Sequence, residues 1–327
     1  MNRTIHYRCP RCRHPLGGRL QCDPCGLDVP HVQLGPTLVA DFLAVGRSGL
    51  PAQRTAEGGP ATRDARGTGQ GACSGGGPVG VPGPCPLHGD ACRVDLSSLA
   101  APSAAQLAAP KPYHHKAKLL RSLGEVRGQV VLDVGCREGP IAHVLAADNT
   151  VIGLDVCPRG MLTGSPNALD KGYAALLIGD ALAIPLADGQ ADIVIATDLL
   201  EHFVDPPALV TELMRVLRPG GRLLASVPNL VSYNNRLSIL LGSGVGIELH
   251  QLLQGGRVVN PITGPRYPDQ DQHIRWFTSR SLARMLESRG LVVERRLGYD
   301  PVLSRIPAMD RLLRNSCQIA AVLARKG

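Results

Sequence analysis

From about residue 111 onward, short aliphatic runs bounded by turn residues alternate with segments of helical spacing, and no other feature constrains the fold as strongly. The runs are Gln129 to Val134, Thr150 to Asp155, Ala174 to Ile178, Ala191 to Ala196 and Arg222 to Val227. Helical spacing fills Pro140 to Ala147 and Pro207 to Leu217, the latter stopped by Pro219-Gly220-Gly221. Two later runs, Leu291 to Arg296 and Gln318 to Ala324, complete the set after a helix over Ser279 to Ser288. This alternation predicts an α/β fold, a doubly wound and mostly parallel seven-stranded sheet with crossover helices.

The remainder of the chain divides in two. Residues 1–45 hold four of the ten cysteines in two tight pairs, and residues 46–110 are crowded with Gly, Pro, Ala and Ser. That middle part has too few aliphatic clusters to offset the entropy of ordering it, so it reads as a flexible linker. It carries Cys73, Cys85, Cys92 and His88 at spacings that fit no standard metal pattern. Apolar stretches such as Leu237 to Leu241 fall well short of the roughly 18 residues of a membrane span. Met1 to Arg13 lacks the apolar core of a secretory signal, and the chain reads as cytoplasmic. The net charge of +8 comes from 35 basic against 27 acidic residues with no long basic block, so charge alone selects no partner.

The segment Val130-Val131-Leu132-Asp133-Val134-Gly135-Cys136-Arg137-Glu138-Gly139 passes from a buried strand through a glycine-marked turn towards a helix. Gly135 and Gly139 let the backbone approach a ligand, and a helix amino terminus offers free N–H groups. A tight strand-to-helix connection would use the same residues. The next strand, Val151-Ile152-Gly153-Leu154-Asp155, ends in an acid about 20 residues past the turn, where a doubly wound sheet places a carboxylate for ribose hydroxyls. Nicotinamide and S-adenosylmethionine sites share that logic.

At this point the chain resembles the class I S-adenosylmethionine-dependent methyltransferases. The resemblance rests on Leu132 to Cys136 with Gly139, on Gly153-Leu154-Asp155, and on Gly179-Asp180-Ala181 followed by Ile184-Pro185-Leu186. It continues through Asp192 to Asp198 into Leu200-Glu201-His202, and through Leu217 to Leu223 before the fifth strand. Arg137 stands where the family commonly has glycine. The resemblance implies that Asp133 and Gly135, beside Cys136 and Gly139, face the methionine end of the cofactor. It likewise assigns Asp155 to the ribose, Asp180 with Ala181 to the adenine, and Asp198 with Leu199 to closing the pocket.

The sulfonium cofactor is already an activated donor, so a base is needed only for an acceptor that must lose a proton. The acceptor pocket is expected from Asn229 to Trp276, which contains Tyr233, His250, His273 and the sole tryptophan. His273-Ile274-Arg275-Trp276-Phe277-Thr278 resembles the matching stretch of ubiquinone-type and glycan-cluster methyltransferases. His273 is the first candidate base and His202 the second, each weighed against a structural anchor. Leu237 to Leu253 reads either as a lid over a greasy acceptor or as core packing.

Cys9-Pro10-Arg11-Cys12 and Cys22-Asp23-Pro24-Cys25 form two knuckles able to give four thiolates to one tetrahedral zinc. The segment resembles the short zinc ribbons that precede some methyltransferase domains, ribosomal RNA guanine methyltransferases among them. Arg3, Arg8, Arg11, Arg13 and Arg19 make it basic, and Tyr7 is the one aromatic of Met1 to Leu27 for stacking on bases. The organisation expected is therefore a zinc ribbon over 1–45, a linker over 46–110 and an S-adenosylmethionine-dependent methyltransferase domain over 111–327. Methyl transfer to a hydroxyl of a small molecule, lipid or glycan leads. Its rivals are an RNA methyltransferase guided by the ribbon and a non-catalytic scaffold that retains the cofactor pocket.

Overall fold

The computed structural model describes residues 4–9, 12–17, 20–25, 27–34, 37–42, 114–137, 139, 141–162, 168–240, 259–260, 264–265, 273–300 and 314–327. The expected linker with Cys73, Cys85, Cys92 and His88, as well as His250 and residues 241–253 of the lid segment, lie outside the described residues.

The described strands are β1 (Gln21–Cys22), β2 (Leu27–Asp28), β3 (His31–Leu34), β4 (Thr37–Asp41), β5 (Val130–Val134), β6 (Thr150–Asp155) and β7 (Ala175–Ile178). They continue with β8 (Ala191–Thr197), β9 (Leu217–Pro228), β10 (Val259–Asn260), β11 (Gly264–Pro265), β12 (Leu291–Tyr299) and β13 (Ile319–Lys326). Helices are α1 (His114–Leu120), α2 (Ala142–Leu145), α3 (Pro158–Leu162), α4 (Pro206–Val216), α5 (Tyr233–Leu240) and α6 (Ser279–Ser288).

One nine-stranded sheet runs in the order β12-β13-β9-β8-β5-β6-β7-β4-β3. Parallel pairing joins β9, β8, β5, β6 and β7, while β13 is antiparallel to both β9 and β12. All seven expected strands are present. The central ones are apolar along their whole length because both faces are covered: Val130, Leu132 and Val134 join one core, Val131, Val151 and Ile193 the other. Helix α4 starts where Asp205 accepts the Ala208 N–H at 3.1 Å, and it ends at Val216. Between the pairs Ala191↔Leu217 and Ile193↔Arg222 the register shifts, and the Pro219-Gly220-Gly221 turn occupies the slack. Gly220 there has φ +72°.

The remaining two strands come from the first segment of the chain. β4 pairs parallel with β7 over Leu38 to Asp41, and β3 folds back antiparallel on β4. The Thr37 hydroxyl donates to the Tyr173 carbonyl at 2.7 Å, and Val39 and Ala40 are fully buried. Upstream, Arg8 N–H donates to the Pro185 carbonyl (3.1 Å) and Ala187 N–H to the His6 carbonyl (3.0 Å). Tyr7 packs on Phe42 with ring centroids 6.2 Å apart, and burial pushes its phenol up to about 12. The cysteine-bearing segment is thereby built into the sheet edge that β7 would otherwise expose.

If the first segment and the sheet fold as one body, Val39→Ala lowers the unfolding free energy of the whole chain by about 2 kcal/mol, from two buried methyl groups and the space they leave. Denaturant unfolding should show a single transition for both. A separate early transition of the cysteine segment would contradict this.

Candidate functional site

The glycine turn sits at the carboxyl end of β5. Gly135 adopts φ +74°, and the Gly135 and Cys136 N–H groups both donate to the Leu154 carbonyl, at 2.8 and 3.2 Å, tying the turn to β6. Asp155 closes the arrangement. Its two oxygens accept the Arg137 N–H (2.9 Å) and the Cys157 N–H (2.8 Å), so the acid at the end of β6 holds the loops that follow both strands. Burial pushes this carboxyl up to about 6, with the two amide donors pulling the other way. Each oxygen keeps a second lone pair for a hydroxyl donor. Arg137 has φ 39°, a left-handed conformation that glycine adopts with less strain than a residue carrying a Cβ.

Asp133 lies beneath the turn and accepts the Tyr173 hydroxyl at 2.6 Å; burial pushes its carboxyl up to about 6. Tyr173 is clamped in place by two glycines. A Cβ on Gly139 (φ +74°) would come within 2.7 Å of Tyr173 Cε2, and one on Gly153 would stand 3.0 Å from the same ring and 2.9 Å from Cys136 Sγ. Cys136 is packed inside, its Sγ 3.5 Å from Met161 Sδ, so its side chain belongs to the core beside the turn.

The rim is formed by the next two loops. Asp180 caps a short helical turn, one oxygen accepting the Leu182 N–H at 2.8 Å, and Ala181 is buried behind it. Asp198 has φ 53° and accepts the Ser226 hydroxyl at 3.1 Å. Leu199 Cδ1 lies 3.0 Å from where a Cβ on Gly135 would project, which brings the loop after β8 against the glycine turn. Lys116 on α1 has its Nζ 4.0 Å from Asp198 Oδ2, and its charge also acts on Asp133. This lysine went unnoticed in the sequence, where nothing around it forms a motif.

One step beyond Leu199, Glu201 and His202 end a short helical turn, and the structure brings His273 to them. The Glu201 carbonyl accepts the Ile274 and Arg275 N–H groups at 2.9 and 3.1 Å, and Leu230 N–H donates to the Phe277 carbonyl at 2.8 Å. Residues 273–278 are thus stitched between the β8 and β9 loops. His202 Nε2 and His273 Nε2 lie 4.0 and 3.8 Å from Glu201 Oε1, and the imidazoles meet edge-on with centroids 4.8 Å apart. Trp276, by contrast, is exposed.

The four knuckle cysteines converge as their spacing implies. Cys9 Sγ is 3.5 Å from Cys25 Sγ, and Cys12 Sγ is 3.3 Å from Cys22 and 3.7 Å from Cys25. All are free thiols. Sulfurs around a tetrahedral zinc with bonds of about 2.3 Å stand about 3.8 Å apart, close to this spacing and far from a disulfide bond. The Cys12 thiol is pulled down to about 6, chiefly by the His14 backbone. Arg13 pairs with Glu212 at 3.3 Å and Arg8 with Asp188 at 3.4 Å, so two of the five arginines of the basic face bind this chain's own acids.

Residues 108–295 match a family described as a methyltransferase domain. Ubiquinone biosynthesis O-methyltransferase of Cupriavidus pinatubonensis is 27% identical over 62% of this chain and 77% of its own length. The 2-methyl-6-phytyl-1,4-hydroquinone methyltransferase of Synechocystis is 32% identical over 30% of this chain and 32% of its own. Other curated relatives are spanned for 34% and 60% of their length. Among solved structures, an S-adenosylmethionine-dependent methyltransferase from Mesorhizobium loti superposes with a TM-score of 0.45 at 16% identity, covering 64% of this chain and 96% of that one.

The turn's geometry makes two opposite predictions. Gly139→Ala meets both a left-handed backbone and the Tyr173 ring, and should cost about 2–4 kcal/mol of stability. Arg137→Gly relieves a left-handed side-chain residue and should gain about 0.5–1 kcal/mol. Denaturant titration of both variants checks the pair.

Proposed function

The chain belongs to the methyltransferase-domain family, which its residues match over more than half its length, and from that premise we propose O-methylation of a small, lipophilic hydroxyl compound, of the phenol or hydroquinone kind. The enzyme is an S-adenosylmethionine-dependent methyltransferase, and the bound cofactor supplies a sulfonium-activated methyl group. The site fits that cofactor: a φ +74° glycine turn, an acid with open lone pairs at the end of β6, and a lysine near the rim. In this reading Asp155 takes the ribose hydroxyls, and Asp180 with Ala181 borders the adenine. Gly135 lies along the methionine end, with the buried charge of Asp133 beneath it. Lys116 suits the cofactor's carboxylate, and Asp198 with Leu199 closes the pocket.

The observation that carries the choice of a hydroxyl is the Glu201–His202–His273 cluster beside Leu199. An O–H acceptor must give up a proton as it attacks, and half-buried imidazoles next to a carboxylate are suited to take or direct it. His273 and His202 are assigned that work. Lipophilicity is supported by α5, which follows the carboxyl end of β9 and leaves Leu237, Ile239 and Leu240 exposed. The names of the two curated relatives, one acting in ubiquinone biosynthesis and one on a phytyl hydroquinone, point the same way.

Incubation with methyl-labelled cofactor and a panel of prenylated phenols and hydroquinones should place the label on oxygen in the lipid fraction. Label entering RNA, or no label anywhere, would overturn the assignment. Because the Asp155 carboxyl is raised to about 6 by burial, it loses its charge as pH falls through that value. Cofactor affinity should therefore weaken below about pH 6. Asp155→Asn should lose about 1.5–3 kcal/mol of affinity along with most of that pH dependence, as read by calorimetry.

The four thiols are assigned to one closed, structural zinc site, with Cys9, Cys12, Cys22 and Cys25 as ligands. Metal analysis of the purified chain should find one zinc, lost on Cys9→Ser with partial unfolding of the first segment. Absence of zinc from the parent protein would remove this assignment.

A further inference from the structure

We propose that Glu201, His202 and His273 form a second metal site, open to solvent-derived ligands, that takes a divalent cation beside the cofactor pocket. Its ligand atoms all lie within 4.8 Å of one another. The separations of 3.8 and 4.0 Å between the two Nε2 atoms and Glu201 Oε1 are too long for direct hydrogen bonds. Ligand atoms around a tetrahedral cation with bonds near 2.0–2.2 Å stand about 3.3–3.6 Å apart, so binding draws these three side chains inward from their present spacing.

The arrangement is held by the backbone. Leu199 carbonyl accepts the His202 N–H at 3.1 Å, and Glu201 carbonyl accepts the amides of the two residues after His273. The Glu201 side chain is 2% exposed, against 17% for His202 and 12% for His273. A cation between this carboxylate and the two imidazoles meets one negative charge and two neutral nitrogen donors. Two imidazoles and one carboxylate favour zinc, manganese, cobalt or iron over magnesium or calcium, and three protein ligands leave positions open.

The use of this site, though not its existence, rests on the O-methylation reading. An acceptor hydroxyl in an open position would lose its proton more readily, to water. Its oxygen lone pair then forms the bond to the methyl carbon while the carbon–sulfur bond breaks and its electrons pass to sulfur, leaving S-adenosylhomocysteine. The histidines would act there as ligands in place of direct bases.

Electron paramagnetic resonance titration of the full chain with Mn²⁺, its cysteine-bound zinc left in place, tests the site. One saturable Mn²⁺ per chain is expected, with Glu201→Gln and His273→Ala each weakening it at least tenfold. If Glu201→Gln fails to fold, judged by circular dichroism, His202→Asn serves in its stead. No saturable Mn²⁺, Co²⁺ or Zn²⁺ beyond one cysteine-bound equivalent, or binding that persists in the folded variants, overturns the proposal. Calorimetry with S-adenosylmethionine on the same samples separates the two readings. Cofactor binding without the cation sinks only the metal site, whereas cation binding without the cofactor sinks only the methyl-transfer account.

Discussion

The contact on which the site depends is the Asp155 carboxylate, which accepts one backbone N–H from the loop after β5 and one from the loop after β6. Neither loop has regular structure to satisfy those amides, and the strand ends they leave are buried, so an acceptor must come from a side chain. A carboxylate does this with lone pairs to spare, whereas an amide would offer a single acceptor oxygen. The Gly135 turn, its hydrogen bonds to Leu154, and the left-handed Arg137 all follow from docking one loop on the tip of the neighbouring strand. The same acid is the one proposed to take the ribose hydroxyls.

Much of this was legible in the sequence because it is local. Strand identity follows from runs such as Val130 to Val134, whose residues are buried on both faces, and the turn follows from glycines with positive φ. The reason for Gly153 and Gly139 was not legible. Both make room for Tyr173, which lies 20 and 34 residues further along the chain and forms no motif with them. Lys116 likewise reaches Asp198 across 82 residues of sequence, with no motif to announce it. The pairing of His273 with Glu201 was half visible: each was noted separately, and their meeting depends on backbone bonds between segments far apart in sequence.

The first segment shows the same limit more sharply. Its cysteine spacing announced a cluster, and the cluster is there, but the spacing says nothing about where the ribbon sits. The strand β4 reads as five residues of ordinary β propensity. Only the exposed edge that the parallel sheet would leave at β7 gives it a place. Cys9 and Cys22 therefore belong to the same core as Ala181, Ile184 and Leu186, which adjoin the loop assigned to the adenine. A body so tied to that loop steadies it through packing, and Arg8 and Arg13 spend their charge on Asp188 and Glu212 in doing so. This favours a structural role for the ribbon over one in gripping phosphates.

One electrostatic pattern unites the carboxyl edge of the sheet. Asp133, Asp155 and Glu201 are all buried there, and burial raises the first two carboxyls to about 6. In a chain of net charge +8 these acids are set apart from bulk water, where neutralising them with bound cations gains most. Folding around them sacrifices stability that apolar residues would have supplied. What it produces is a water-poor edge already poised for positive charge, which suits a sulfonium at the glycine turn and, one loop away, a metal cation between two imidazoles and a carboxylate. When a sulfonium gives up its methyl group the sulfur loses its positive charge, so with the cofactor in the proposed place Asp133 and Asp155 would hold it more tightly than its neutral-sulfur product.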